Sequence, residues 1–258
     1  MSPMKILSKL MLLVLPVLAA CGGSGSDDQV CTGGAALEKN CVPKSTNTLP
    51  EGIWNGATTT GLAAQTLVLE NGQYFSVYTS SGNFVWMTEG IITAKDGAFN
   101  DPATVALSNT GSLMAGVMNG SFIAKTSLSA TTNINTTPIT EPLIFNGNYN
   151  TVYDTPLTVA DVLGNWTNPA TVTTSASVTF AADGTLTGSQ GACTFTGTVK
   201  PRATGKHVLD GSLLFTSGAC SAGINVAMPI EATVINGQLT FVGVTPQRSS
   251  AFSLTATR

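Results

Sequence analysis

The sequence predicts an all-β protein: two small antiparallel barrel or sandwich domains, related by an internal repeat, behind a signal peptide and a flexible tether. Three observations carry this. Asn-Gly and Asp-Gly turn dipeptides recur at short intervals from Gly52 onward, and no segment between them bears the i, i+3, i+4, i+7 apolar stripe of a helix. Charged residues are only 10% of the 258, well below the usual quarter. Thr, Ser, Asn and Gly take their place; β-branched Thr favours strands, and Gly and Asn favour tight turns. Finally, Gly52-Ile53-Trp54-Asn55-Gly56 recurs in the second half as Gly164-Asn165-Trp166-Thr167-Asn168, each copy opening a strand-rich stretch of ordinary domain size.

Residues 1–20 have the parts of an export signal. Lys5 and Lys9 form a positive start, Leu10 to Leu18 an apolar run broken by Pro16, and Ala19 and Ala20 the small residues before a cut. The run is about half of the ~20 residues needed to span a bilayer. Cys21 follows directly, then the flexible Gly22-Gly23-Ser24-Gly25-Ser26. Leu18-Ala19-Ala20-Cys21 resembles the lipobox of bacterial lipoproteins. That resemblance implies that Cys21 is acylated and becomes the first mature residue. With Gly22 rather than Asp behind it, the expected address is the outer membrane, facing periplasm or exterior. Loss of Lys5 and Lys9 leaves 9 basic residues against 14 acidic, a net charge of −5. Such a chain is not expected to bind nucleic acid, and its attachment to a membrane must come from lipid rather than charge.

Residues 21–50 read as lipidated Cys plus tether, 51–153 as a first β-domain and 154–258 as a second. With Cys21 lipidated, Cys31, Cys41, Cys193 and Cys220 remain, an even number suited to an oxidising compartment. Three pairings are possible; locality favours Cys31–Cys41 and Cys193–Cys220. There is no C-x-x-C pair and a single His, so neither a metal site nor a cofactor is expected. Hairpins are predicted at Leu67–Tyr78 around Asn71-Gly72, at Ser177–Thr187 around Asp183-Gly184, and at Glu231–Phe241 around Asn236-Gly237. Further turns are predicted at Asp96-Gly97, Asn119-Gly120, Asn146-Gly147 and Asp210-Gly211. The Thr/Pro-rich segment 135–142 is a loop or linker. Thr155-Pro156 through Leu163 fits a short helix capped by Thr155 and ended by Gly164. Alternation places Phe195 and Val199 on a buried face against Thr194, Thr196 and Thr198. In the last strand it places Phe252, Leu254 and Ala256 against Ser253, Thr255 and Thr257.

The second half carries Tyr149-Asn-Thr-Val-Tyr153, Leu163-Gly-Asn-Trp166, Gly191-Ala-Cys193-Thr-Phe-Thr-Gly, Val199-Lys-Pro-Arg202 and a closing Phe252-x-Leu-x-Ala-Thr-Arg258. Over roughly residues 145–258 these phrases resemble a group of proteobacterial lipoproteins with small β-barrel-like domains behind a lipobox. The Gly-x-Trp opening is also similar to that of calycins and of bacterial protease inhibitors with a related barrel. The resemblance implies a fold and an address; it carries no catalytic residues.

Among candidate sites, His207 is the only base for a nucleophilic triad, but its flanks are ordinary strand residues. The carboxylates are scattered in turns, with no pairing suited to acid–base work or calcium. Lys200, Arg202 and Lys206 form one basic cluster, read as a solvated loop or a site for an anionic partner. Trp54 and Trp166 either floor a ligand cavity or plug their own cores. Tyr74, Ser76 and Tyr78, with Tyr149 and Tyr153, either form a recognition surface or pack across strands. No enzyme is expected. The sequence points to a lipid-anchored envelope protein of binding or structural type. Its partner would be a small apolar or glycan ligand held in a calycin-like barrel, or a protein met by an inhibitor- or adhesion-type surface.

Overall fold

The computed structural model describes residues 29–32, 40–43, 48–109, 111–134, 142–168 and 175–258. The predicted signal peptide, Cys21 and most of the predicted tether lie outside the described residues. Within the tether, β1 (Gln29–Thr32) and β2 (Asn40–Pro43) pair antiparallel, with Cys31 opposite Cys41 in register. The side chains of these two strands, and with them the expected Cys31–Cys41 bond, lie outside what the structure describes.

Ser45–Arg258 is one compact unit holding two eight-stranded antiparallel barrels. The first contains β3 (Gly52–Thr58), β4 (Ala63–Val68), β5 (Gln73–Ser80) and β6 (Asn83–Ile91). The chain continues through β7 (Thr93–Lys95), β8 (Ala98–Ser108), β9 (Leu113–Ile123), β10 (Ser127–Ile134) and β11 (Leu143–Asn150). The order β6-β5-β4-β3-β11-β10-β9-β8 closes where β8 returns to β6, and β7 extends that edge along β8. The second barrel runs in simple order. Its strands are β12 (Gly164–Thr167), β13 (Ala176–Phe180), β14 (Thr185–Gln190) and β15 (Cys193–Pro201). They continue as β16 (Leu209–Phe215), β17 (Ala227–Ile235), β18 (Gln238–Val244) and β19 (Ala251–Thr257). The pair Thr167–Thr257 closes it. Both Trp repeats therefore sit in the first strand of a barrel.

The three predicted hairpins form as β4–β5, β13–β14 and β17–β18. At the last, Asn236 and Gly237 both take positive φ (51° and 75°), the conformation that matches the twist of a two-residue hairpin. Asn119-Gly120, Asn146-Gly147 and Asp210-Gly211, expected as turns, instead lie inside β9, β11 and β16. The glycines there make room rather than turns. A Cβ on Gly147 would sit 2.3 Å from the Phe145 ring, and one on Gly120 would sit 2.2 Å from Phe99. The predicted helix also shrinks. Thr151–Asp154 is a 3₁₀ turn whose carbonyl at Val152 accepts from the Thr155 hydroxyl at 2.7 Å. The α-helix, α1, spans only Val159–Val162. Asp161 starts it by accepting from the Thr158 N–H and hydroxyl, which holds the Asp161 carboxyl below its ordinary range.

Each barrel is filled by its own side chains. The first core gathers Trp54, Val68, Tyr74, Tyr78, Phe99 and Phe145. The second gathers Trp166, Phe180, Phe195, Phe215, Phe241 and Phe252, with edge-to-face pairs such as Phe195–Phe252 at 5.3 Å. Alternation holds on β15, where Phe195 and Val199 are buried and Thr194, Thr196 and Thr198 exposed. On β18 and β19 it fails: Val242, Val244, Ala251 and Ser253 are buried on the outer face as well. The reason is the other barrel. Phe75, Val77, Met87 and Leu107 from the first barrel pack against Val242, Val244 and Ala251 of the second. A second apolar seam joins Ile53, Leu67 and Leu69 to Tyr153, Val208 and Ile235.

Candidate functional site

Trp54 and Trp166 occupy equivalent places. Each indole N–H donates to the carbonyl four residues earlier, Trp54 to Pro50 at 2.9 Å and Trp166 to Val162 at 2.7 Å. Their exposures are 0% and 2%, so both rings are packed into the barrel ends with their polar atom satisfied. Arg258 lies over the Trp166 ring, 4.3 Å from its centroid, and donates to the carbonyls of Asp161 and Leu163. In the first barrel Tyr149 meets Trp54 edge-on at 5.2 Å. Tyr74, Ser76, Tyr78 and Tyr153 are buried too, so these residues form packing and not an outward recognition face.

Inside the first barrel, Asp101 accepts from the Tyr74 hydroxyl at 3.0 Å, from Thr104 at 2.9 Å and from the Ala103 N–H at 2.9 Å. Burial, then the Asp101 charge, pushes the Tyr74 phenol well above its ordinary range. The carboxylate is thereby held by donors on its own wall. His207 packs beside the linker: Nε2 lies 2.8 Å from the Val234 carbonyl and Nδ1 3.2 Å from that of Thr155. Each ring nitrogen thus has a partner within hydrogen-bond reach, Nδ1 also the Thr155 hydroxyl at 3.3 Å. Cys193 and Cys220 form a disulfide that ties β15 to the loop after β16. No group of three or more His, Cys, Asp or Glu among the described residues can hold a metal ion.

The basic cluster is not a solvated loop. Lys200 is exposed, but Arg202, with 14% of its side chain exposed, reaches across the seam. Its Nε donates to Glu70 at 2.8 Å, and its Nη1 donates to Asp210 at 2.6 Å and lies 3.8 Å from Glu231. Thr204 also donates to Glu70, and Lys206 reaches Glu51 at 3.4 Å. Three carboxylates thus surround one guanidinium. Burial raises the Glu70 carboxyl, but its bonds to Thr204 and Arg202 outweigh that and hold it below the ordinary range. Glu231 goes the other way: burial, then the charge of Asp210 directly across the strand pair, pushes it up to about 8. A second clasp joins Arg248 to Glu89 at 2.9 Å.

No family model matches the chain, and no curated protein matches it.

Beside these clasps the two barrels leave a groove of about 500 Å³. Its first wall comes from the outer faces of β3, β4 and β5, where Asn55, Gln65 and Val77 lie side by side in register. Its second comes from β17, β18 and β19, where Ile235, Gln238 and Thr257 form one row and Thr240 and Thr255 the next. Neither Trp lines it. Sequence reasoning missed both the groove and the carboxylate cluster. Gln65, which donates to Thr233 at 3.3 Å across 168 residues, and Glu70, 132 residues from Arg202, carry no local signal of their meeting. The only legible hint is the run of buried-type residues on both faces of β5 and β18.

Proposed function

We propose that the chain is a lipid-anchored cell-envelope protein, of outer-membrane address, that works without catalysis by binding at its outer surface rather than inside either barrel. The observation that carries this is the state of the two Trp ends. Trp54 and Trp166 are buried, hydrogen-bonded and surrounded by core aromatics, which supports solid barrels. An open calyx for an apolar ligand would need a cavity of about 300 Å³ or more at those ends. The anchor reading rests on Cys21 and its resemblance to a lipobox.

Two measurements test the two parts. Titrating the full chain with fatty acids while following Trp emission should give no saturable quenching; quenching abolished by Trp54→Phe or Trp166→Phe would restore an internal ligand site. Membrane fractionation of Cys21→Ser should move the protein to the soluble fraction, and retention with membranes would rule out the lipid anchor.

A further inference from the structure

We infer that the groove between the barrels is a binding site for an uncharged, hydroxyl-rich ligand, a short neutral oligosaccharide. The inference builds on the surface-binding reading and names the ligand class. Its first support is the chemistry of the walls. Four lining residues carry side-chain amides (Asn55, Gln65, Asn236, Gln238) and four carry hydroxyls (Thr79, Thr240, Thr255, Thr257). None of the described lining residues is ionisable. A phosphate, carboxylate or ammonium ligand would find no countercharge there and would lose its water without compensation. A ligand that donates and accepts many neutral hydrogen bonds matches the walls group for group.

The second support is that these groups are uncommitted. Gln65 bonds to Thr233. By contrast, the side chains of Asn55, Asn236, Gln238, Thr79, Thr255 and Thr257 make no hydrogen bond within the described residues. All but Asn236 are half-buried. Ala63, Ala64, Val77 and Ile235 interleave with them and offer small apolar patches of the size of a sugar's C–H face. The third support is rigidity. The walls belong to two closed sheets fixed to each other by the apolar seams and the Arg202 and Arg248 clasps, so the amide rows are held in place before any ligand arrives.

The same geometry disfavours the two other occupants of a groove this size. A fatty acid needs a long unbroken apolar lining, and here amide and hydroxyl side chains interrupt the apolar surface. An extended peptide needs a free strand edge for its backbone. Within their barrels β3, β4, β5, β17 and β18 are instead paired along both edges, and β19 is paired with β18 along its length and with β12 at Thr257.

The test uses the full chain on an array of neutral and anionic glycans, with maltotriose, cellotriose and chitotriose then titrated by calorimetry. Two variants report on the groove. Gln238→Ala removes one amide, and Ala63→Arg, at an exposed position, fills the groove mouth. Unfolding midpoints close to the parent's show that both fold. The expected result is saturable binding of a neutral glycan, weakened about tenfold by Gln238→Ala and lost in Ala63→Arg. Absence of binding to every neutral glycan, or binding that survives both variants, overturns the inference, as does capture of an extended peptide that no sugar displaces. Fractionation of Cys21→Ser reads the anchor and not the groove, so either reading can fail alone.

Discussion

Glu231 illustrates how one side chain takes its character from where the fold puts it. In sequence it is an acid in a strand before an Asn-Gly turn, indistinguishable from any solvated carboxylate. In the structure its Oε2 is buried without a hydrogen-bond partner, Asp210 stands across the strand pair, and its carboxyl is raised to about 8. Folding therefore holds a proton that the unfolded chain releases near 4.5. The resulting stabilisation is complete below about pH 4.5 and is lost as pH rises to about 8. Glu231→Gln should match the parent's melting temperature near pH 4.5 and exceed it by about 10 °C at pH 9; parallel curves across that range would refute the assignment. Arg202 answers to the opposite logic. Arg202→Met leaves Glu70, Asp210 and Glu231 without their shared cation and should cost about 3 kcal/mol in denaturant unfolding at pH 9. The sequence offered Arg202 only as one of three nearby basic residues, because its partners are brought from β16, from β17 and from the other barrel.

Strands and turns were more legible than sites because their signals are local. The dipeptides at Asn71-Gly72, Asp183-Gly184 and Asn236-Gly237 read correctly as turns, each flanked by alternating apolar residues. The same dipeptide chemistry misled at Asn146-Gly147, where the glycine is selected by a ring packed across it and not by backbone curvature. Gly147→Ala should accordingly cost about 2 kcal/mol through displacement of Phe145. Gly218→Ala, where nothing lies within 4 Å of the added Cβ, should be near neutral in the same assay. The Cys193–Cys220 pairing followed from locality. It closes 27 residues of chain, and reducing it should lower stability by about 3 kcal/mol. Thr155 shows the limit of capping rules: a Thr-Pro pair predicted a helix start, while the Thr158 and Asp161 pair three residues on formed the actual box.

For the whole molecule, the all-β class and its two barrels were visible in the sequence; their union was not. A repeat announces two similar units, but the residues that join them, such as Phe75 and Val242, look like ordinary strand positions until both faces are seen to be covered. The seams imply that the barrels stabilise each other. The chain should unfold in one transition by circular dichroism and by Trp emission, and cutting between Asp154 and Thr155 should leave halves that aggregate through Val77, Val242 and Val244. Two resolved transitions, or a soluble second half with native emission, would contradict this. The closure of each sheet carries a last consequence. In both barrels the first strand finds its partner in the last, β3 with β11 and β12 with β19, so the decisive contact spans nearly the whole domain. Such long-range contacts form late and slowly. A nascent second barrel is therefore an unfinished sheet until Thr257 reaches Thr167, and the time spent in that state, rather than the final stability, sets how long its unpaired edges need shielding from other chains.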